Sequence, residues 1–543
     1  MPSYAKHAEA FDLRLPLAPF VQHPDLPLGE LLTAADVQQA LEEHHVRFGD
    51  TTKAVFTPAI LLWTWLWQCL SRARSCGAAV LRTSVLLAAL KLPPWSEDTG
   101  TYCRARAKLP SALLRQLALC VGQRVEGAAA AGWLWRGRHV YLLDGSTATL
   151  TDTPENQQAY PQSGAQQAGL GFPLLRYVLV LGLATASVQD LAFGPHQGKE
   201  TGETALARQL LTRLGPGDVV VADRYFCSYW LVALLLALGV QVVFRLHQRR
   251  KYDFTRGQRW GSEDHVVVWQ RPERPDWMTA EDYAAVPAQL VVRELQVRVT
   301  NPGYRTKSLV LATTLVDGAV WSKDEIGDLY HKRWQAELDL RSLKQTLGMD
   351  QLRSTPPDLV ERELWMHVLA YNLVRKVMAQ AALWATEHRR ARPRRPGRVG
   401  AAPAWTPRGF SFACTVEQVM AWWHENTTGA AERQRARYEA LLCGVSRQRG
   451  GQRPGRIEPR AVKRRPKEYD RLLEPRAQAR AGLLGQGTTP GGGAKTSAAP
   501  ARSPAKSQPA RAPGRRRTGG RGRAGDQRCG ETGSAATDRQ EIS

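Results

Sequence analysis

Two aspartates occupy the same kind of place in the chain. The runs Leu142-Leu143-Asp144-Gly145 and Val220-Val221-Ala222-Asp223-Arg224 each carry an apolar stretch into an aspartate and then open into polar sequence. Ligand sites of α/β sheets lie beyond the carboxyl ends of the strands, so two such aspartates on adjacent strands would meet at one point. Each alone also fits a loop-opening aspartate with no joint role. A third segment sharpens the pattern. Tyr330, Arg333, Glu337, Leu340 and Lys344 recur at intervals of three, four, three and four residues, the spacing of one helix face. Burying tyrosine, arginine, glutamate and lysine together is costly without partners. It becomes favourable where the face lines an anionic substrate and a metal. A solvated face held by ion pairs such as Arg333 with Glu337 has the same spacing.

The surrounding sequence supplies elements to position these groups. Apolar runs over 139–143, 174–183, 188–193, 218–222, 240–246 and 308–314 read as strands. The stretches 206–214 and 230–238 read as helices between them. A helix capped by Ser322 starts at Lys323 and continues beyond Leu347, with an interruption near Gly348. Another covers 359–382. Central strands with flanking helices give an α/β layer architecture over 138–385. Residues 248–306 change texture, with prolines, basic residues and alternating apolar positions, and read as a mostly β insertion carrying Trp260, Trp269 and Trp277. Residues 1–130 read as a helical N-terminal domain. Asp36 serves as a cap there, and Pro58 opens an apolar helix rich in tryptophan. Arg104, Arg106 and Lys108 are candidate DNA contacts in this part; Arg104 and Lys108 share a face that a solvated helix would equally show. Residues 386–480 form a basic C-terminal region with short helices at 416–424 and 433–442. From 481 to 543 the composition cannot bury enough apolar area to offset ordering, so a disordered basic tail is expected.

Charge narrows the partners. The chain has 543 residues and a formal net charge of +24, from 74 basic and 50 acidic side chains, which points to a polyanion. An anionic membrane surface is disfavoured, because the arginine-rich tail lacks an apolar face. No run is long and apolar enough to span a bilayer, and no secretory signal opens the sequence. The eight cysteines contain no CxxC pair and no zinc spacing, so they read as reduced thiols of a cytoplasmic protein.

Tyr330, Arg333, Glu337 and Lys344 together carry a resemblance to a known family. Their spacing, Tyr-x2-Arg-x3-Glu-x6-Lys, is the signature of the fourth insertion-sequence family of bacterial transposases. Asp144 follows a hydrophobic strand and precedes a small residue as that family's first aspartate does. Asp223-Arg224-Tyr225-Phe226 resembles the context of its second. Asn156, Gln157 and Tyr160, then Gly171-Phe172-Pro173, and later Arg456-Ile457-Glu458-Pro459-Arg460 are also similar, so the likeness covers roughly 56–476. It implies a ribonuclease-H-like catalytic core, with Asp144, Asp223 and Glu337 as a catalytic triad binding two Mg2+ ions (Mn2+ as a substitute) about 4 Å apart. It implies that Tyr330, Arg333 and Lys344 contact DNA phosphate. It further implies cut-and-paste transposition on double-stranded DNA: cleavage at the terminal inverted repeats, then strand transfer into target DNA, by a homodimer in the nucleoid. A nuclease of the same fold that does not join strands, or a non-catalytic end-binding protein, are the alternatives.

Overall fold

A computed structural model describes residues 32–46, 56–89, 98–299, 308–390, 405–426, 431–450 and 473–485. The expected linker around 391–404, the basic stretch 456–467 and the tail beyond 485 lie outside the described residues.

Among the described residues five α-helices come first: α1 (Ala34–Glu43), α2 (Pro58–Leu70), α3 (Cys76–Ala89), α4 (Thr99–Arg106) and α5 (Ser111–Gly127). The cap of α1 is Thr33 and not Asp36. Asp36 occupies the third helical position, where its backbone N–H donates to the Thr33 hydroxyl and its carboxylate accepts from the Thr33 N–H. This reciprocal arrangement satisfies two donors that a lone cap would leave open. Pro58 stands in the first turn of α2 behind the Thr57 cap, as its missing N–H permits.

The sheet follows: β1 (Val140–Leu150), α6 (Pro154–Ala159), β2 (Leu174–Gly182), β3 (Val188–Pro195), α7 (Glu203–Arg208), β4 (Val219–Ala222), α8 (Tyr229–Ala237) and β5 (Gln241–Arg245). Next are β6 (Gln258–Gly261), β7 (Asp264–Gln270), α9 (Ala280–Ala285), β8 (Gln289–Arg298) and β9 (Ser308–Thr313). The strand order is β3-β2-β1-β4-β5-β9-β8-β7-β6. Strands β1, β2 and β3 pair antiparallel, whereas β4 runs parallel to β1 and β5 parallel to β4. Three antiparallel strands followed by two parallel ones form the ribonuclease-H-like core expected from the sequence. The insertion is mostly β, as expected, and it is not a separate sheet. Its strands reach the core through β9, which pairs with β5 on one side and β8 on the other.

After β9 come α10 (Lys323–His331), α11 (Trp334–Arg341), a wide π turn over Ser342–Thr346, the short β10 (Gln351–Leu352) and the long α12 (Pro357–Arg390). Ser322 caps α10, in a capping box with Glu325. Two further helices, α13 (Phe412–Asn426) and α14 (Ala431–Arg447), are longer than the sequence suggested. They bury Trp422, Trp423, Tyr438 and Leu442 in the same apolar cluster as α2, α5 and one face of the sheet. Trp63 of α2 meets Trp423 edge to face with ring centroids 5.7 Å apart. The opposite face of the sheet packs against α7 and α8 through Leu206, Leu231, Val232 and Leu235. Among the described residues no helix is long and apolar enough to cross a membrane.

Candidate active site

Asp144 is not at the end of its strand. Strand β1 runs on to Leu150, and Asp144 pairs in register with Leu179 of β2. What ends there is the pairing with β4, whose last partners are Leu143 and Ala222. The next residues are Asp144 and Asp223, side by side on parallel strands whose axes lie about 4.8 Å apart. Alternation then sets their direction. Leu142 and Val221 belong to the first apolar cluster, Leu143 and Ala222 to the second, so both aspartates emerge on the first face. That face also receives Tyr330, Ala336, Leu340 and Leu343 from the helices bearing the third carboxylate.

Those helices are not one straight rod. Helix α10 stops at His331, and bonds from Arg333 N to Tyr330 O (2.9 Å) and from Ala336 N to Arg333 O (2.9 Å) tighten the junction before α11 begins. The Arg333 guanidinium donates to Glu337 Oε1 at 2.7 Å, the ion pair expected of a solvated face, but here Arg333 is largely buried. Lys344 sits in the π turn, and its ammonium donates to Ser146 Oγ at 3.0 Å, two residues beyond Asp144. A π turn spreads one extra residue over the helical turn, and such widenings recur at functional sites.

Burial is the main cause that pushes the Asp144 carboxyl up to about 6. The charges of Asp223 and Glu337 push the same way, while Arg333 and the Gly145 N–H, 3.0 Å from Asp144 Oδ1, oppose it. The Asp223 Oδ1 accepts from the Tyr225 N–H at 2.8 Å. The Tyr330 phenol is pushed up to about 12, chiefly by burial, so it remains a donor. One carboxylate here was not anticipated. Glu203, at the start of α7, lies over Gly145, where a Cβ would come within 2.7 Å of its Oε1. Its carboxyl is raised, first by burial and also by the charge of Asp223. The only sequence trace of this contact is the absence of a side chain at position 145.

A raised carboxyl has a sign for stability. The Asp144 value lies above its unfolded value, so the folded chain holds this proton longer than the unfolded one. Below the unfolded value both states are protonated and nothing is lost; as pH rises through about 6 the folded state loses the difference. In metal-free protein, Asp144→Asn should therefore raise stability by about 1–3 kcal/mol near neutral pH and by nothing near pH 3. Thermal unfolding in a chelator at both pH values checks this, and a destabilised variant at neutral pH would contradict it.

The other expected contacts fall in different places. Arg104 and Lys108 are exposed, although α4 ends at Arg106 and Lys108 lies in the turn after it. Arg106 does not belong with them. It is 5% exposed, and its guanidinium lies over the rings of Trp65 (5.2 Å) and Tyr102 (5.0 Å). A cation between two aromatic faces inside a helical layer is not a surface contact. Each insertion tryptophan has a partner in the fold, although Trp260 is 42% exposed. Trp260 donates to Val316 O at 3.0 Å, Trp269 is buried and donates to Glu294 Oε1 at 2.8 Å, and Arg208 lies 3.7 Å from the Trp277 ring. Two exposed rings, Tyr225 and Trp334, lie close in sequence to Asp223 and Arg333.

The donor chemistry fits a hard divalent cation, since carboxylate oxygens are its preferred ligands and neighbouring anions already raise Asp144. As placed, with Glu337 on Arg333, no three His, Cys, Asp or Glu side chains among the described residues are gathered closely enough to hold a metal.

Residues 135–373, which contain all three carboxylates, match the family model of the transposase DDE domain. The chain is 27% identical over 367 residues to the transposase InsG for insertion sequence element IS4 of Escherichia coli (strain K12), a match covering 67% of this chain and 78% of that protein. Among solved structures, a piggyBac transposase synaptic complex with hairpin DNA is similar at 9% identity and a TM-score of 0.37, over 82% of this chain and 87% of that one. That likeness is loose, and the fold rests on the strand order above. Strand order, paired aspartates, the Tyr330-to-Lys344 signature and the similarity to the IS4 transposase agree, and residues 135–373 match a transposase DDE domain that holds all three carboxylates.

Proposed function

We propose that this chain is a DDE transposase of the IS4-like family, which cuts DNA at the terminal inverted repeats of its own element and joins the ends to target DNA, using Asp144, Asp223 and Glu337 as ligands for two divalent ions, Mg2+ with Mn2+ as a substitute. The observation that carries this reading is the placement of Asp144 and Asp223 side by side where β1 and β4 part, under the helix bearing Glu337. When bound, the ions activate the attacking water or 3'-hydroxyl and stabilise the leaving oxygen. Glu337 must exchange Arg333 for metal, which frees the Arg333 fork for a phosphate. Lys344, held beside Asp144 by Ser146, supplies a point charge, and Tyr330 supplies a protonated hydroxyl. Tyr225 and Trp334 offer faces to an unstacked base. The exposed Arg104 and Lys108 contact transposon-end DNA, which makes the N-terminal part of the chain an end-binding region. The partners are double-stranded DNA and a second copy of the chain, in the bacterial cytoplasm at the nucleoid.

Incubation of pre-cut ends with target DNA and Mg2+ tests the reaction. Joined products are expected; hydrolysis of ends without joining would reduce the protein to a nuclease. The two cations should separate by substitution. Lys344→Ala should weaken end binding and flatten the log–log salt slope by about one. Arg333→Lys keeps the charge and loses the fork, so single-turnover cleavage should fall about tenfold or more with little change in fold. Unchanged salt slope in the first, or full cleavage in the second, would remove that residue from phosphate binding.

A further inference from the structure

Away from the carboxylates, two helices bring a pair of thiols onto one buried cation. Cys76 opens α3 and Cys103 lies in α4, and their Sγ atoms are 3.9 Å apart. Arg106 Nη2 lies 3.5 Å from each sulfur. Packing between Trp65 and Tyr102 fixes this guanidinium, and its buried Nε has no hydrogen-bond partner. A buried cation is costly without an anion, and a thiolate at this spot supplies one. Both cysteines are only partly buried, so a small reagent can reach them.

We propose that Cys76 and Cys103 are a reversible dithiol–disulfide site that reacts with low-molecular-weight disulfides. Cys103 is the attacking sulfur, because contact with Cys76 and the charge of Arg106 hold its thiol down at about 5. The same contact, with burial, pushes Cys76 up. Burial, helped by nearby carboxylate charge, pushes Cys227 up to about 12 and also raises Cys69, which leaves those thiols inert. The Cys103 thiolate attacks one sulfur of RSSR. The S–S bond breaks, and RS− leaves with the electron pair and takes a proton from water. The Cys76 thiol then gives up its proton and attacks Cys103 Sγ, which expels the second RS− to become RSH. Two protein thiols are oxidised by two electrons, and one RSSR is reduced to two RSH. Closing the bond needs the sulfurs to approach from 3.9 Å to about 2.05 Å. The pair borders the layer supporting the active site. Arg74 shares a cavity wall with Arg106 and donates to Thr346 O, at the end of the π turn that carries Lys344.

The test is peptide mapping of full-length protein after incubation with oxidised glutathione. The expected result is a Cys76–Cys103 cross-link in most chains, loss of two titratable thiols of the eight, and recovery of both on reduction. Cys76→Ala should stop at a glutathione adduct on Cys103, about tenfold more abundant than on any other cysteine, and Cys103→Ala should give neither product. The map of the unmutated chain decides even if a variant fails to fold. No cross-link, adducts spread evenly over the cysteines, or a stable Cys103 adduct in the unmutated chain would overturn the proposal.

Discussion

Asp144→Asn, Asp223→Asn and Glu337→Gln should each lower cleavage of transposon ends by about 1,000-fold or more while end binding survives. Each substitution replaces a carboxylate, proposed above as a metal ligand, with a neutral group of similar size, so on that proposal the fold has little to lose and the chemistry nearly everything. The environments make the three unequal in one respect. Asp144 is the carboxyl raised by burial and by its neighbours, so its amide variant is also the one expected to gain stability without metal. A residue that destabilises its own fold and cannot be replaced without loss of cleavage carries function and not packing. End cleavage in Mg2+ and Mn2+, run beside a gel-shift titration of end DNA, measures both properties. Near-normal cleavage by any of the three would remove that residue from the triad, and loss of DNA binding along with cleavage would point to a folding defect instead.

The second large effect concerns the platform. Helix α5 crosses β3 so closely at Gly122 that a Cβ there would lie 2.1 Å from Val188 O and 2.7 Å from Asn372 Nδ2. Neither neighbour can yield. Val188 is in a paired strand, and the Asn372 amide is committed, accepting from Val188 N at 2.8 Å and donating to Ala118 O (2.8 Å) and Val188 O (2.9 Å). Gly122→Ala should cost about 3 kcal/mol or more, because strand, helix and asparagine would all have to move. On the same helix Gly127 has nothing within 4 Å of the same added atom, so Gly127→Ala should be neutral or stabilising by up to about 1 kcal/mol. Thermal unfolding of the pair is the measurement. Similar midpoints for the two variants would show that α5 can lift from the sheet at little cost.

Much of the site was legible in the sequence, because its signals are local. Apolar runs ending in aspartate marked β1 and β4, and helical spacing placed Tyr330, Arg333 and Glu337 on one side. What was not legible depends on contacts far apart in the chain. Asp144 reads as a strand end, yet β2 keeps β1 extended past it, and only the β4 side is left open. Arg106 follows Arg104 in a basic stretch, but Trp65 from another helix claims its guanidinium. Glu203 is an unremarkable helix-start glutamate until the fold lays it on Gly145. The tightened junction at Arg333 and the π turn at Lys344 shift helical phase by fractions of a turn, which a spacing argument for an ideal helix does not resolve. The helices α13 and α14 sit among basic residues that mask how much aromatic surface they bury.

The ladder from β5 through β9 and β8 to β7 and β6 is unbroken. Mechanically, the insertion is therefore a cantilever and not a hinged flap. A duplex pressing on β6 and β7 would load a plate that continues through β5 to β4, the strand Asp223 follows, with hydrogen bonds in series between them. Such a plate yields by twisting along its whole width, so a grip on DNA at the far strands would be felt as torsion at the seam where β4 and β1 part.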